Sequence, residues 1–206
     1  MKTWLLGIVG AAFAVFMMPV QAQDFKEGVH YEVIADEATA EPEIKEFFSF
    51  YCVHCFRFEP IAKQMAAEHG DAFEKAHVSF IDPRGMGVTM SRAYAAAKML
   101  KKEDEVTAAI FDYNFNKQSM LLTKDDLRNV FVVNGVSGSD FDKAMASFSV
   151  RGMANKYDRE ATKYGVNATP TFIVNGKYRL LPAGFEGSND FIGDFVAAAG
   201  YLLKQD

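Results

Sequence analysis

Cysteine is almost missing from this sequence. Cys52 and Cys55 are the only two in 206 residues. That is too few for a disulfide-stapled scaffold, which small secreted folds need and a chain of this length does not. Positive charge is also scarce: 22 Lys and Arg stand against 27 Asp and Glu, for a formal net charge of −5. Such a balance gives no reason to expect nucleic acid or an anionic membrane surface as a partner. Repeats, low-complexity tracts and flexible linkers are absent, and so are long apolar runs outside the N-terminus.

The N-terminal run, from Trp4 to about Val20, follows Lys2 and ends in Val20-Gln21-Ala22. That small-x-small ending suits signal peptidase. The run is close to the ~20 residues that span a bilayer, so an uncleaved anchor is the competing reading. The small residues at the site and the polar QDFKEG after it favour a signal peptide over 1–22 and an exported chain from Gln23. Loss of Lys2 takes the formal charge from −5 to −6. Half of the residues are apolar and 19 are Phe, enough for a core in one domain or one domain carrying an insertion.

Along residues 23–206, HYEVI (30–34) reads as a short strand, and the apolar-aromatic EIKEFFSFY (43–51) as a strand buried on both faces. A helix is expected from His54 to about His69, with Phe58, Ile61, Ala62, Met65 and Ala66 at three- and four-residue steps and a kink at Pro60. KAHVSFID (75–82) reads as a third strand. Residues 84–157 hold no convincing strand. Segments such as TMSRAYAAAKMLKKED and TKDDLRNVFVVNG have helical spacing, with Thr or Ser caps and Gly stops, which predicts a helical bundle. TPTFIVNGKYRL (169–180) is a hairpin turning at Asn175-Gly176, and 188–203 is a closing helix.

The chemistry concentrates in FFSFYCVHCFRFEP (47–60). A strand running into Cys52, with a helix starting beyond it, puts the first sulfur where unpaired N–H groups and the helix dipole favour an anion. His54 offers that thiolate a further donor or positive charge. Cys55, three positions on, is spaced to resolve a mixed disulfide formed on Cys52. A structural disulfide is the weaker reading, because so short a loop constrains the unfolded chain little. Half of a zinc site is weaker still: zinc wants four ligands, and His30, His69 and His77 have no ligand spacing.

With these residues in view, the sequence resembles the DsbA family of periplasmic thiol:disulfide oxidoreductases. EFFSF before the cysteines, the helical segment between HVSFID and TPTF, and VNGKY in the hairpin all match, and the likeness covers the chain from Gln23 on. It implies an α/β, thioredoxin-like fold with an inserted all-helical domain, here 23–82 plus 158–206 around 83–157. It further implies Cys52 as nucleophile, Cys55 as resolving cysteine, Pro170 as a cis-proline facing the disulfide, Glu46 as a buried acid behind it, and Lys75 as that acid's partner. A cis X-Pro bond would leave the preceding backbone free to pair with an extended substrate. The implied partners are reduced, unfolded exported proteins and a DsbB-like, quinone-linked membrane oxidase; no cofactor is implied, and a monomer is expected.

Two positions against the sulfurs depart from the family's commonest pattern. Val53 stands where proline is usual, and Thr169 stands before the cis-proline where valine is frequent, as in disulfide isomerases. Both leave the reaction type in place and bear on redox potential and partner choice. A reductase or isomerase is therefore the alternative enzyme, although residues 23–51 are too few for the dimerisation domain of DsbC-type isomerases. From another class, a peptide-binding chaperone with an incidental disulfide is the alternative; rapid alkylation of Cys52 below neutral pH would tell against it.

Overall fold

The computed structural model describes residues 24–205. The expected signal peptide, 1–22, lies outside them. Five strands, β1 (Tyr31–Val33), β2 (Ile44–Phe48), β3 (Phe73–His77), β4 (Thr171–Val174) and β5 (Tyr178–Leu180), form one sheet in the order β1-β5-β4-β2-β3. Only the β2–β3 pair is parallel; the other neighbours run antiparallel. Helix α1 (Val53–His69) makes the crossover between the parallel strands, and α7 (Phe191–Leu202) packs beside it. Between β3 and β4 lie α2 (Gly87–Met99), α3 (Glu103–Phe111), α4 (Lys124–Val133), α5 (Gly138–Ala146) and α6 (Phe148–Lys163). This is the α/β fold with a helical insertion. Helix α6 runs unbroken past residue 157 and packs on both α2 and β3, so the sheet and the inserted helices share it.

Every residue of β2 is buried, as its unbroken apolar-aromatic run predicts for a strand with neighbours on both edges and cover on both faces. Phe47 meets Tyr164 just beyond α6 at 6.1 Å, whereas Phe48 meets Tyr94 of α2 at 5.0 Å. Two charges are buried within the strand as well. The register sets Lys45 beside Glu74 and Glu46 beside Lys75. Lys45 donates to Glu160 of α6 at 2.9 Å and also pairs with Glu43 and Glu74. Burial pulls the Lys45 pKa down, but these carboxylates outweigh it and leave the ammonium more basic than usual.

Strand ends differ from their sequence limits for identifiable reasons. β2 stops at Phe48 rather than Tyr51, because Cys52 N–H donates to Ser49 O at 3.0 Å and closes a turn. β3 begins at Phe73 and ends at His77, not at Asp82. Beyond it, the N–H and hydroxyl of Ser79 both donate to Asp158 of α6, at 3.0 and 2.7 Å, drawing the chain out of the sheet. The outer edge of β3 is blunted by α2: Ser91 donates to His77 O at 3.0 Å and Tyr94 to Lys75 O at 3.2 Å. The hairpin turns at Asn175-Gly176, both with positive φ (51° and 61°), the backbone that a two-residue type I′ turn requires.

Candidate active site

Cys52 is the N-cap of α1. Its backbone is extended (φ −99°, ψ 113°), and its sulfur accepts the N–H of Cys55 at 3.4 Å. On the other side lies the Thr169 carbonyl, 3.2 Å from Sγ, and the Thr169–Pro170 bond is cis. Both cysteines are free thiols. Four influences hold the Cys52 thiol down to about 5 against partial burial: the Cys55 thiol donating to it, the Thr169 side chain, and the backbone N–H groups of Cys55 and His54. Cys55 is buried, and desolvation, followed by the neighbouring Cys52 and Glu46, pushes its thiol far above the usual range. One sulfur is thus a thiolate at neutral pH and its partner a thiol.

His54 contributes through its backbone. Its imidazole is exposed and makes no hydrogen bond or ion pair among the described residues, so the side-chain donor expected beside the thiolate is not in contact with it. Val53, next to the nucleophile, is 38% exposed, an apolar surface at the mouth of the site.

Behind the sulfurs, Glu46 is fully buried, and neither carboxylate oxygen has a hydrogen bond. Desolvation raises its pKa to about 7, although the Lys75 ammonium 3.5 Å away pulls the other way. Lys75 is held as well by Glu59, one helical turn beyond Cys55 on α1, and lies 4.4 Å over the Phe48 ring. Burial alone would lower the Lys75 pKa, but Glu46 and Glu59 outweigh it, so the ammonium persists. Glu59 and Lys75 also line a cleft of about 490 Å³, which gives this pair a solvent side away from Glu46.

Sequence reasoning did not single out Glu59. Its signal was the four-residue step from Cys55, which places both on one face of α1. His77, set aside as a metal ligand, is fully buried at the end of β3 and accepts the Phe50 N–H through Nε2 at 3.2 Å. Burial first, and the Lys75 charge second, push its pKa down to about 3, so it stays neutral. The amide of Asn114, from the helical insertion, reaches the same turn. Nothing in the spacing of Asn114 announced that contact.

A dithiol split into thiolate and buried thiol, at the head of a helix and opposite a cis-proline on a mixed sheet, defines a thioredoxin-like thiol:disulfide oxidoreductase. The comparisons narrow the class. A family model described as DSBA-like thioredoxin domain matches residues 43–191. The thiol:disulfide interchange protein DsbA of Yersinia pestis is 32% identical over 212 residues, with 100% of each chain covered. That of Haemophilus influenzae is 33% identical over 210 residues, again with 100% of each covered. Among solved structures, the disulfide oxidoreductase DsbA from Proteus mirabilis superposes with a TM-score of 0.79 at 29% identity, covering 87% of this chain and 97% of that one. The chain belongs to the DsbA-like thioredoxin domain family.

The Glu46 charge acts on the Cys55 thiol, and proton exchange between the two is the role expected of this buried acid. Replacing it with Gln keeps the shape and removes that exchange. We expect Glu46→Gln to slow resolution of a Cys52 mixed disulfide by at least about tenfold at pH 7. The step should also lose its inflection near pH 7. Stopped-flow reaction with a glutathione mixed disulfide measures both; an unchanged rate would show that Cys55 gives up its proton to another acceptor.

Proposed function

We propose that this protein is a periplasmic dithiol oxidase that introduces disulfides into exported proteins. The observation that carries the reading is the asymmetry of the pair: Cys52 is held as an anion at neutral pH, so its disulfide with Cys55 is readily reduced. A substrate thiolate attacks Cys52 of the Cys52–Cys55 disulfide, and Cys55 leaves and takes a proton, with Glu46 as its source. The second substrate thiolate then attacks the substrate sulfur of the mixed disulfide and expels Cys52 as a stable thiolate. Two electrons pass from the substrate to the protein; of the two protons the substrate thiols give up, one is matched by the proton Cys55 takes and the other stays in solvent, because Cys52 remains a thiolate. Lys75 and Glu59 return the proton to Glu46 from the cleft side.

Reduced, unfolded exported proteins are the substrates on this reading. A Proteus mirabilis DsbA structure contains a non-covalently bound peptide, PWATCDS; on this reading an extended peptide binds here beside Thr169, Pro170 and the exposed Val53. Reoxidation falls to a DsbB-like, quinone-linked membrane protein. Export rests on the signal peptide expected over residues 1–22; among the described residues no helix is long and apolar enough to cross a membrane.

The test is the equilibrium of the purified protein with glutathione. An oxidase of this kind should have a potential well above the thioredoxin value of about −270 mV, in the region of −120 mV. Thr169 gives the second reading its one observation. Its hydroxyl is buried beside the sulfur, where it favours the Cys52 anion and lies within reach of a bound peptide. A potential near that of thioredoxin would put the reductase or isomerase reading ahead.

A further inference from the structure

Between β2 and α1 the chain turns at Ser49–Tyr51, directly before the nucleophile. Phe50 is fully buried there, among Phe48, Tyr94 and Phe111, and belongs to no strand. Its backbone polar groups are nevertheless both satisfied, each by a side chain from a different part of the fold. The N–H donates to His77, and the carbonyl accepts from Asn114 Nδ2 at 2.9 Å. The other end of the same amide, Asn114 Oδ1, accepts the N–H of Leu121 at 2.9 Å, and the Leu121 carbonyl accepts the Tyr51 hydroxyl at 2.8 Å. Phe50, Asn114, Leu121 and Tyr51 thus close a ring of hydrogen bonds between the catalytic turn and the inserted helices.

Asn114 is itself buried, in the π-helical turn Asp112–Asn116 that ends α3. It lies three and four residues beyond Phe111 and Ile110, and so on their buried face. Single π-helical turns cost hydrogen-bond regularity and are found frequently at functional sites. Asparagine suits the position because it carries donor and acceptor on one short side chain; Asp would lack the donor and Leu both. A buried carbonyl at Phe50 left without a partner would be costly, which gives the contact its hold.

We infer that Asn114 is a positioning residue: by clamping the Ser49–Tyr51 turn to Leu121, it fixes the Cys52 sulfur against the N–H groups of the first turn of α1. This rests on Cys52 being the reactive sulfur, as proposed above. The inserted helices therefore do more than cover the sheet: they set the redox properties of the cysteine pair. Releasing the clamp lets the turn, and Cys52 with it, move away from the groups that stabilise its anion.

The experiment measures thiolate absorbance at 240 nm against pH, together with the glutathione equilibrium, for wild type, Asn114→Ala and Tyr51→Phe. In Asn114→Ala we expect Cys52 to titrate at least about half a unit higher, which lowers the thiolate-to-thiol ratio about threefold at a given pH. The equilibrium should move toward a weaker oxidant by a similar factor. Tyr51→Phe removes one hydroxyl from the same ring and should shift both readouts the same way by less. A folded Asn114→Ala with a lower melting temperature but wild-type titration and equilibrium would overturn the inference and leave Asn114 a packing residue. Should Asn114→Ala fail to fold, Tyr51→Phe decides, and an unchanged titration there overturns it equally. A wild-type Cys52 that titrates near the ordinary ~8.5 would instead sink the oxidase reading itself.

Discussion

Serine at position 52 is expected to abolish both oxidation of a reduced, unfolded protein and reduction of insulin, while serine at position 55 produces a different failure. The two sulfurs are chemically unlike. Cys52 accepts the N–H of Cys55 at the head of α1 and is half-exposed; Cys55 is buried and stays protonated. In Cys55→Ser, Cys52 still attacks a disulfide, but no neighbouring thiol displaces the product, so mixed disulfides with substrate accumulate. Non-reducing gels and mass spectrometry after mixing with a disulfide-containing protein distinguish the outcomes. Loss of turnover should be complete in Cys52→Ser, at least about a thousandfold, with no adduct. Identical behaviour of the two variants, neither trapping substrate, would overturn the assignment of roles.

The second large effect concerns stability. The folded Cys52 pKa of about 5 lies below the ~8.5 of an unfolded thiol. For an acid shifted downward, the stabilisation is fully present above the unfolded value. It shrinks as pH falls from there toward 5, and is lost below the folded value. The group is partly exposed, so solvent screening reduces what the shift is worth. Oxidation removes the thiolate and these interactions, and so short a loop returns little chain entropy. Reduced protein should therefore melt above oxidised protein at pH 7, by at least the roughly 2–4 °C that each kcal/mol represents at this size. The gap should narrow by pH 4. Calorimetry of both forms at both pH values checks it; an oxidised form that melted higher at pH 7 would mean the disulfide is structural and the protein no strong oxidant.

The parts of the site that could be read from sequence are those whose chemistry is local. The Cys-x-x-Cys spacing, the strand–helix junction that makes Cys52 an N-cap, and the Asn-Gly turn depend on residues adjacent in the chain. Glu46 and Lys75 were placed through resemblance, and the parallel register of β2 and β3 makes them direct neighbours. The strand limits were misjudged where apolar character continued past the last sheet hydrogen bond, as at Phe50 and Tyr51. There the chain turns because Cys52 bonds back to Ser49. Glu59, His77 and Asn114 were not legible as site residues, because each acquires its role from a partner 16 to 64 residues away. His54 shows the opposite case: a side-chain donor was expected from the motif, but the side chain is exposed and it is the backbone N–H that acts on the sulfur.

The paired charges of β2 and β3 also act as a key for strand alignment. Lys45 faces Glu74 and Glu46 faces Lys75 across the only parallel pair in the sheet. Sliding β3 by one residue in one direction would bring Lys45 opposite Lys75; sliding it the other way would bring Glu46 opposite Glu74. Either error would bury like charges and turn each side chain of the slipped strand to the wrong face. The buried pair behind the sulfurs, together with Lys45 and Glu74, thus also rejects the two nearest misalignments of the strand that delivers the chain to Cys52.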